Sequence, residues 1–137
     1  MSDLEQLLFE LTNKQRLLNR RRPFVEAPAL SLAARRHSED MLRRRFFSHV
    51  NPDKKTPSDR ITAVLKWTAP MSAENLWMRT GALPPGTRVV EEAVATLMAS
   101  RPHRTNILNS NYTHLGVGIA TTATEVRVTQ LFARFER

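Results

Sequence analysis

The chain has 137 residues, of which 41% are hydrophobic and 25% are charged, as is typical of a single globular domain. It contains no cysteine, which excludes a thiol nucleophile, a Cys-ligated zinc site, an iron–sulfur cluster and a disulfide framework. The formal net charge is +8, and 17 of the 21 basic residues are arginine. We therefore predict one domain over residues 1–137, with a basic surface suited to nucleic acid, an anionic membrane or an acidic polysaccharide.

The N-terminal half predicts three helices. Ser2 and Glu5 have the spacing of a capping box, and leucines at helical spacing extend this first helix to about residue 20, before Pro23. A second helix begins near Pro28, and a turn-rich loop follows over residues 46–55. Thr56 then caps a short third helix. The predicted buried face of the second helix carries Leu30, Ala33, Ala34, His37 and Met41.

The C-terminal half predicts two more helical segments and a hairpin. Residues 73–78 form a strand, and Thr87 caps a helix with Val90, Val94, Leu97 and Met98 buried. A helical turn runs from Pro102 to Leu108. The hydrophobic period then becomes two, which predicts an antiparallel hairpin over residues 115–135 with apolar side chains on both faces. Helices first and strands last indicate an α+β fold with a sheet covered on both sides.

Nucleotide enzymes and ordinary serine hydrolases are disfavoured, because the chain has no glycine-rich phosphate loop, no G-x-S-x-G elbow and no H-E-x-x-H helix. Four histidines remain as chemical candidates. His37 lies on an apolar stripe and is predicted to be a hydrogen-bonded core residue. His114 follows a loop and is predicted to be solvated. His49 and His103 lie on separate elements, so their spacing alone indicates no site.

Short motifs follow one another along nearly the whole chain. They are Asn13-x-x-Arg16, Ala34-x-x-His37-Ser-x-Asp-Met41, Phe46-Phe-Ser-His49, Pro57-Ser-Asp-Arg60, Ala73-Glu-Asn-Leu76, Ser100-x-x-His103-Arg-x-Asn-Ile-Leu108 and Leu115-Gly-Val-Gly-Ile119. This series resembles the bacterial branch of the CAP superfamily, which comprises cysteine-rich secretory, antigen 5 and pathogenesis-related 1 proteins and whose domain is also called SCP. The resemblance implies a three-layer α-β-α sandwich with a small antiparallel sheet between helices, and an exported location.

The resemblance also implies a surface cleft of two histidines and two acidic residues, which holds zinc or magnesium in some members. The matching positions are His49, Glu74 and His103, and Ser100 occupies the place of the second acid. His49, Glu74 and His103 are therefore the expected ligands of a divalent cation, Zn²⁺ or Mg²⁺. Two imidazoles and a carboxylate are also the set that open zinc sites use. A purely structural alternative is that Glu74 accepts hydrogen bonds from loop amides.

Three functions follow as hypotheses. The resemblance favours a non-enzymatic domain that binds a small molecule, a lipid or a cell-envelope component in this cleft. The alternative is a metal-assisted hydrolase that uses His49, Glu74 and His103. The third is binding of nucleic acid or another anionic polymer through the arginines of residues 20–22 and 35–45, of which nucleic acid is the least favoured partner because aromatic residues are not interleaved with them. No motif indicates an oligomeric state.

The expected location rests on the resemblance. No stretch approaches the roughly 18 consecutive apolar residues of a membrane span. The first residues are acidic where a signal peptide would be basic, so no signal peptide is expected in this chain. An extracellular or envelope location is therefore predicted from the family, with the cytoplasm left open.

Overall fold

The computed structural model describes residues 1–136. Its elements are α1 (Asp3–Leu18), β1 (Val25–Glu26), α2 (Pro28–Arg43), α3 (Pro57–Leu65), β2 (Ser72–Thr80), α4 (Gly86–Ala99), α5 (Arg101–Leu108), β3 (His114–Thr121) and β4 (Glu125–Ala133). Among these described residues, no helix is long and apolar enough to cross a membrane.

Local capping chemistry sets the starts of α1 and α3. The Ser2 hydroxyl accepts from the Glu5 amide while the Glu5 carboxylate accepts from the Ser2 amide, which confirms the predicted capping box. Thr56 and Asp59 form the same reciprocal pair at α3, with Pro57 in the first turn. These two helix starts were therefore predictable from four side chains.

Two predicted helix ends were wrong. Helix α1 ends at Leu18, because Asn19 and Arg20 turn away and Arg20 adopts a left-handed φ of 59°. Helix α4 begins at Gly86, because the carbonyl of Pro85 already accepts from the amides of Arg88 and Val89. Thr87 therefore lies inside the first turn rather than at the cap.

The four strands form one sheet in the order β1-β3-β4-β2. The predicted hairpin is confirmed as β3 and β4, which pair antiparallel, and β2 pairs antiparallel with β4 on the other side. The two-residue strand β1 adds to β3 in parallel, with Val25 opposite His114. It had not been predicted, since two residues are too few to show a period.

Helices cover both faces of this sheet, so the architecture is the expected three-layer α-β-α sandwich. Helices α2 and α3 lie on one face, and α1, α4 and α5 lie on the other. Gly116 and Gly118 allow α2 to approach β3 closely, because a Cβ at either position would overlap the backbone of α2.

Side chains along β4 and β2 alternate between the two helical layers. Val128 of β4 belongs to the core beneath α1 and α4, and Leu131 belongs to the core beneath α2. In β2, Glu74 is opposite Leu131 and Asn75 is opposite Gln130. Adjacent residues of β2, an edge strand of the sheet, thus reach the elements on both faces.

Candidate functional site

A buried carboxylate at the centre of the site is held between an imidazole and a guanidinium. The Glu74 side chain is 1% exposed. One of its oxygens, Oε1, accepts from Nδ1–H of His49 at 2.7 Å, and Oε2 accepts from the Arg60 guanidinium at 2.7 Å. The His49 side chain is 54% exposed, so the group that Glu74 orients opens to solvent.

Arg60 ties this carboxylate to the loop that carries His49. Besides Glu74, its guanidinium donates to the carbonyl of His49 at 2.9 Å and to that of Lys55 at 3.0 Å. Its side chain is only 12% exposed. Arg60 had not been predicted as a site residue, although it lies in the motif Pro57-Ser-Asp-Arg60. It acts as a positioning residue for both His49 and Glu74.

His37 supports the same loop from below. Its ring is buried, and Nε2–H donates to the carbonyl of Ser48 at 2.9 Å, which confirms the predicted hydrogen-bonded core role. Because Nε2 carries the proton, Nδ1 is the unprotonated nitrogen, and it has no partner among residues 1–136. Burial, the largest cause, lowers the pKa of His37. A neutral His37 therefore holds the backbone next to His49.

His103 belongs to α5, whose N-cap residue is Ser100. The Nδ1 atom of His103 is hydrogen-bonded to the Ser100 hydroxyl at 2.8 Å. From the strand below, the Asn75 amide donates to the carbonyl of His103 at 3.0 Å. Ser100, at the position expected for the second acid, thus orients His103 through a neutral bond.

Asn75 is the centre of a buried polar chain that extends across the sheet. Asn106 of α5 donates to its Oδ1 at 2.8 Å, and its own amide donates to Oε1 of Gln130 at 3.0 Å. Gln130 in turn donates to the Thr12 hydroxyl of α1 at 2.9 Å. Every member accepts or donates with good geometry, so the chain fixes α5, and His103 with it, against the sheet.

The environments of the two cleft histidines shift their pKa values in opposite directions. The hydrogen bond to Glu74, the largest cause, raises the pKa of His49. Burial lowers the pKa of His103, and the charge of His49 lowers it further. The His49 ring therefore keeps its proton up to a higher pH than the His103 ring does.

Each cleft imidazole has Nδ1 engaged and Nε2 left for a ligand. Within residues 1–136, no group of three or more His, Asp or Glu side chains is placed to hold a metal ion. Both oxygens of Glu74 are already bonded, one to His49 and the other to Arg60. Glu74 therefore contacts only the Nδ1 side of the His49 ring.

Other predicted residues lie away from this cleft. His114 is not the solvated residue expected, because its ring is half-buried and stacks on Phe135 with the ring centroids 3.7 Å apart. The arginines of α2 are partly engaged in ion pairs. Arg35 binds Glu5, and Arg44 binds Asp40 at 2.6 Å and Asp53 at 2.9 Å.

The model of the cysteine-rich secretory protein family, CAP, matches residues 9–132 of this chain. The chain belongs to the CAP family. A curated relative, the uncharacterized protein YkwD of Bacillus subtilis, is 34% identical over 118 residues, which are 86% of this chain and 43% of that protein. The CAP domain described here thus spans less than half of that relative.

Two solved structures share the fold. An extracellular protein containing an SCP domain from Bacillus anthracis is 29% identical, with a TM-score of 0.79 over 96% of this CAP domain and 40% of that chain. An outer surface protein from Borrelia burgdorferi has a TM-score of 0.82 at 16% identity, over 98% of this chain and 95% of that one. The second likeness concerns the fold alone.

Proposed function

We propose that this CAP domain is a binding protein whose cleft takes a small molecule or an envelope component through His49 and His103. The observation that supports this most directly is that Nδ1 of each ring is hydrogen-bonded within the protein. Glu74 occupies Nδ1 of His49 and Ser100 occupies Nδ1 of His103, so each ring has Nε2 left for a ligand. A ring held at Nδ1 presents Nε2 as a hydrogen-bond donor or acceptor, which suits a polar or anionic ligand.

We also propose that Zn²⁺ is the cation that this donor set prefers. Imidazole nitrogen suits zinc, whereas Mg²⁺ prefers oxygen ligands, and both Glu74 oxygens are engaged. A carboxylate on the far ring nitrogen is also the usual support of a metal-binding histidine. When bound, the ion would supply a Lewis-acidic position for an oxygen of the ligand. With two protein donors in place of three or four, we expect weak binding.

Calorimetric titration with ZnCl₂ and with MgCl₂ near neutral pH tests the cation. We expect Zn²⁺ to bind at one equivalent, Mg²⁺ not to bind, and His49→Ala to abolish the Zn²⁺ signal. His114→Ala is the matched control, because it removes a histidine outside the cleft. Absence of Zn²⁺ binding by the natural protein, or equal loss in both variants, would contradict the cation proposal. Circular dichroism checks that each variant is folded.

The ligand is tested separately, with soluble cell-wall glycan fragments and short-chain phospholipids as probes, with and without Zn²⁺. Binding that is lost in folded His103→Ala supports the cleft, and binding unchanged in both His49→Ala and His103→Ala overturns it. The same variants test the hydrolase alternative. Hydrolysis of one of these probes by the natural protein, and its loss in His49→Ala, would support that alternative.

We propose an exported location as well. Its support is the 29% identity to a Bacillus anthracis protein described as extracellular. Fractionation of cells that express the natural gene, with detection by antibody, tests it. Recovery in the cytoplasmic fraction alone would contradict it.

A further inference from the structure

The segment after α1 combines exposed apolar and cationic side chains. Leu18, Leu17 and Val25 are 67%, 60% and 58% exposed, the three highest values among the large hydrophobic residues of the described chain. They flank the arginines of residues 20–22 in the sequence. These leucines lie at the end of an amphipathic helix, and their apolar surface is left in contact with water.

The arginines that follow these leucines in the sequence line a cavity. Its volume is about 310 Å³, and its lining residues are Arg16, Arg20, Arg21, Arg22 and Ser110. No carboxylate lies among them. A concave surface lined by cationic groups attracts and concentrates anions.

Two of these arginines are structural. The buried Arg16 guanidinium donates to the carbonyls of Arg22, Ile107 and Asn109 at 2.8 to 2.9 Å. Arg21 donates to the carbonyl of Leu108 at 2.9 Å. Arg20 is exposed, as is Arg22, and among residues 1–136 neither forms an ion pair with an acidic side chain.

The positive charge of this cluster is therefore not neutralised within the described chain. Burial, and then the charge of Arg21, lower the pKa of Arg16 to about 10. Carbonyl dipoles hold the buried guanidinium in place, but they supply no countercharge. An external anion bound in this cavity would supply the missing countercharge.

We propose that Leu17, Leu18, Arg20 and Arg22 form a contact surface for an anionic phospholipid membrane. The leucines enter the boundary between headgroups and acyl chains, and the arginines bind the lipid phosphates. The exposed leucines favour a bilayer over a nucleic acid, which offers them no apolar phase. The aromatic residue of this segment, Phe24, is buried beneath Arg16 and cannot stack on bases.

Co-sedimentation with unilamellar vesicles tests this surface. The natural protein should bind vesicles of mixed phosphatidylglycerol and phosphatidylcholine, and not vesicles of phosphatidylcholine alone. The double variant Arg20→Gln, Arg22→Gln should bind about 25-fold more weakly, since each arginine near an anionic surface contributes about fivefold. Leu17→Ser with Leu18→Ser should reduce binding at least about tenfold, because two inserted side chains lose their apolar burial.

Matched controls separate a local surface from general charge. Arg36→Gln with Arg88→Gln removes the same charge from exposed arginines of α2 and α4, and Leu32→Ser removes an exposed leucine of α2. Both should bind like the natural protein. Equal loss in the arginine control, or binding that survives the Leu17 and Leu18 changes, overturns the proposal. Complete competition by millimolar inorganic phosphate also overturns it, in favour of a soluble phosphate site. The cleft plays no part in this test, so its outcome is independent of the proposed function.

Discussion

His49 and His103 are anchored from the two faces of the edge strand β2 by contacts of different kinds. On one face the contacts involve charge, because the Glu74 carboxylate binds both His49 and Arg60 at 2.7 Å. On the other face, the contacts are neutral, because Asn75 and Ser100 hold His103 with amide and hydroxyl groups. The two histidines should therefore respond differently to mutation, salt and pH.

The difference shows how a small domain shifts the pKa values of two histidines in opposite directions. A buried carboxylate stabilises the imidazolium of the nearer ring, while burial without a charged partner favours the neutral form of the other. Adjacent residues of one strand suffice, because successive side chains of a strand point to opposite faces. The following changes test this comparison, from the largest expected effect to the smallest.

Glu74→Ala should be the most damaging change in the cleft. It leaves the guanidinium of Arg60, 12% exposed, without its carboxylate. Breaking a buried ion pair by removing one partner costs about 3 kcal/mol or more, so we expect a loss of that size in the free energy of unfolding by urea. Glu92→Ala is the control, since its pair with Arg79 is more exposed and should contribute less than about 1 kcal/mol. Equal losses of unfolding free energy in Glu74→Ala and Glu92→Ala would show that the buried pair contributes no more than the exposed one.

Asn75→Ala should cost about 2 kcal/mol, because it leaves buried partners at Asn106 and Gln130 unsatisfied. Unlike the loss in Glu74→Ala, this loss should be nearly independent of salt, since the broken bonds are neutral. Urea unfolding at about 0.05 M and 0.5 M NaCl, on either side of the screening range, measures the difference. A strong salt dependence for Asn75→Ala would contradict the neutral account of the His103 side.

Glu74→Gln should shift the titration of one histidine far more than that of the other. The pKa of His49 should fall toward its ordinary value, because its largest stabilising contact loses its charge. The pKa of His103 should move little, since burial rather than Glu74 lowers it. NMR titration of the imidazole protons reports both rings in one experiment. Parallel shifts would mean that one electrostatic environment governs both rings.

The smallest expected effect is the change in the free energy of unfolding with pH. Because the folded pKa of His49 is raised, its bond to Glu74 contributes fully below the unfolded value of about 6.5 and is lost as pH rises through the folded pKa. His49→Ala should therefore lose more stability at about pH 5.5 than at about pH 8.5. The difference should stay below about 1 kcal/mol, since the ring is half-exposed and screened by solvent.

The titration of His37 and His103 should change stability with pH in the opposite direction. Their folded pKa values are lowered, so the unfolded chain binds more protons and stability falls as pH drops through about 6.5. Urea unfolding of His103→Ala at the same two pH values checks this. A smaller loss at the acidic pH is expected, and a larger loss would contradict the neutral state of this ring.

Local interactions determined most of what the sequence alone could predict. The capping boxes of α1 and α3 lie within four residues, and the alternation along β4 lies within one strand. Gly116 and Gly118 lie on one face of β3, but the sequence did not show that α2 is the helix that packs against them. The family motifs added the sandwich and named His49, Glu74 and His103 as cleft residues. Each of these predictions depends on residues close together in the sequence or on a family motif.

Tertiary structure alone decided how the site residues contact one another. Arg60 and Glu74 are 14 residues apart and His49 and Glu74 are 25 apart, and no period or cap relates them. The parallel strand β1 was invisible because its pairing lies with residue 114, and His114 was judged solvated because its partner Phe135 lies on the far side of a hairpin. The role of a charged or aromatic side chain depends on which partner the packed sheet brings within a few ångströms. That proximity arises only when all layers of the sandwich are assembled.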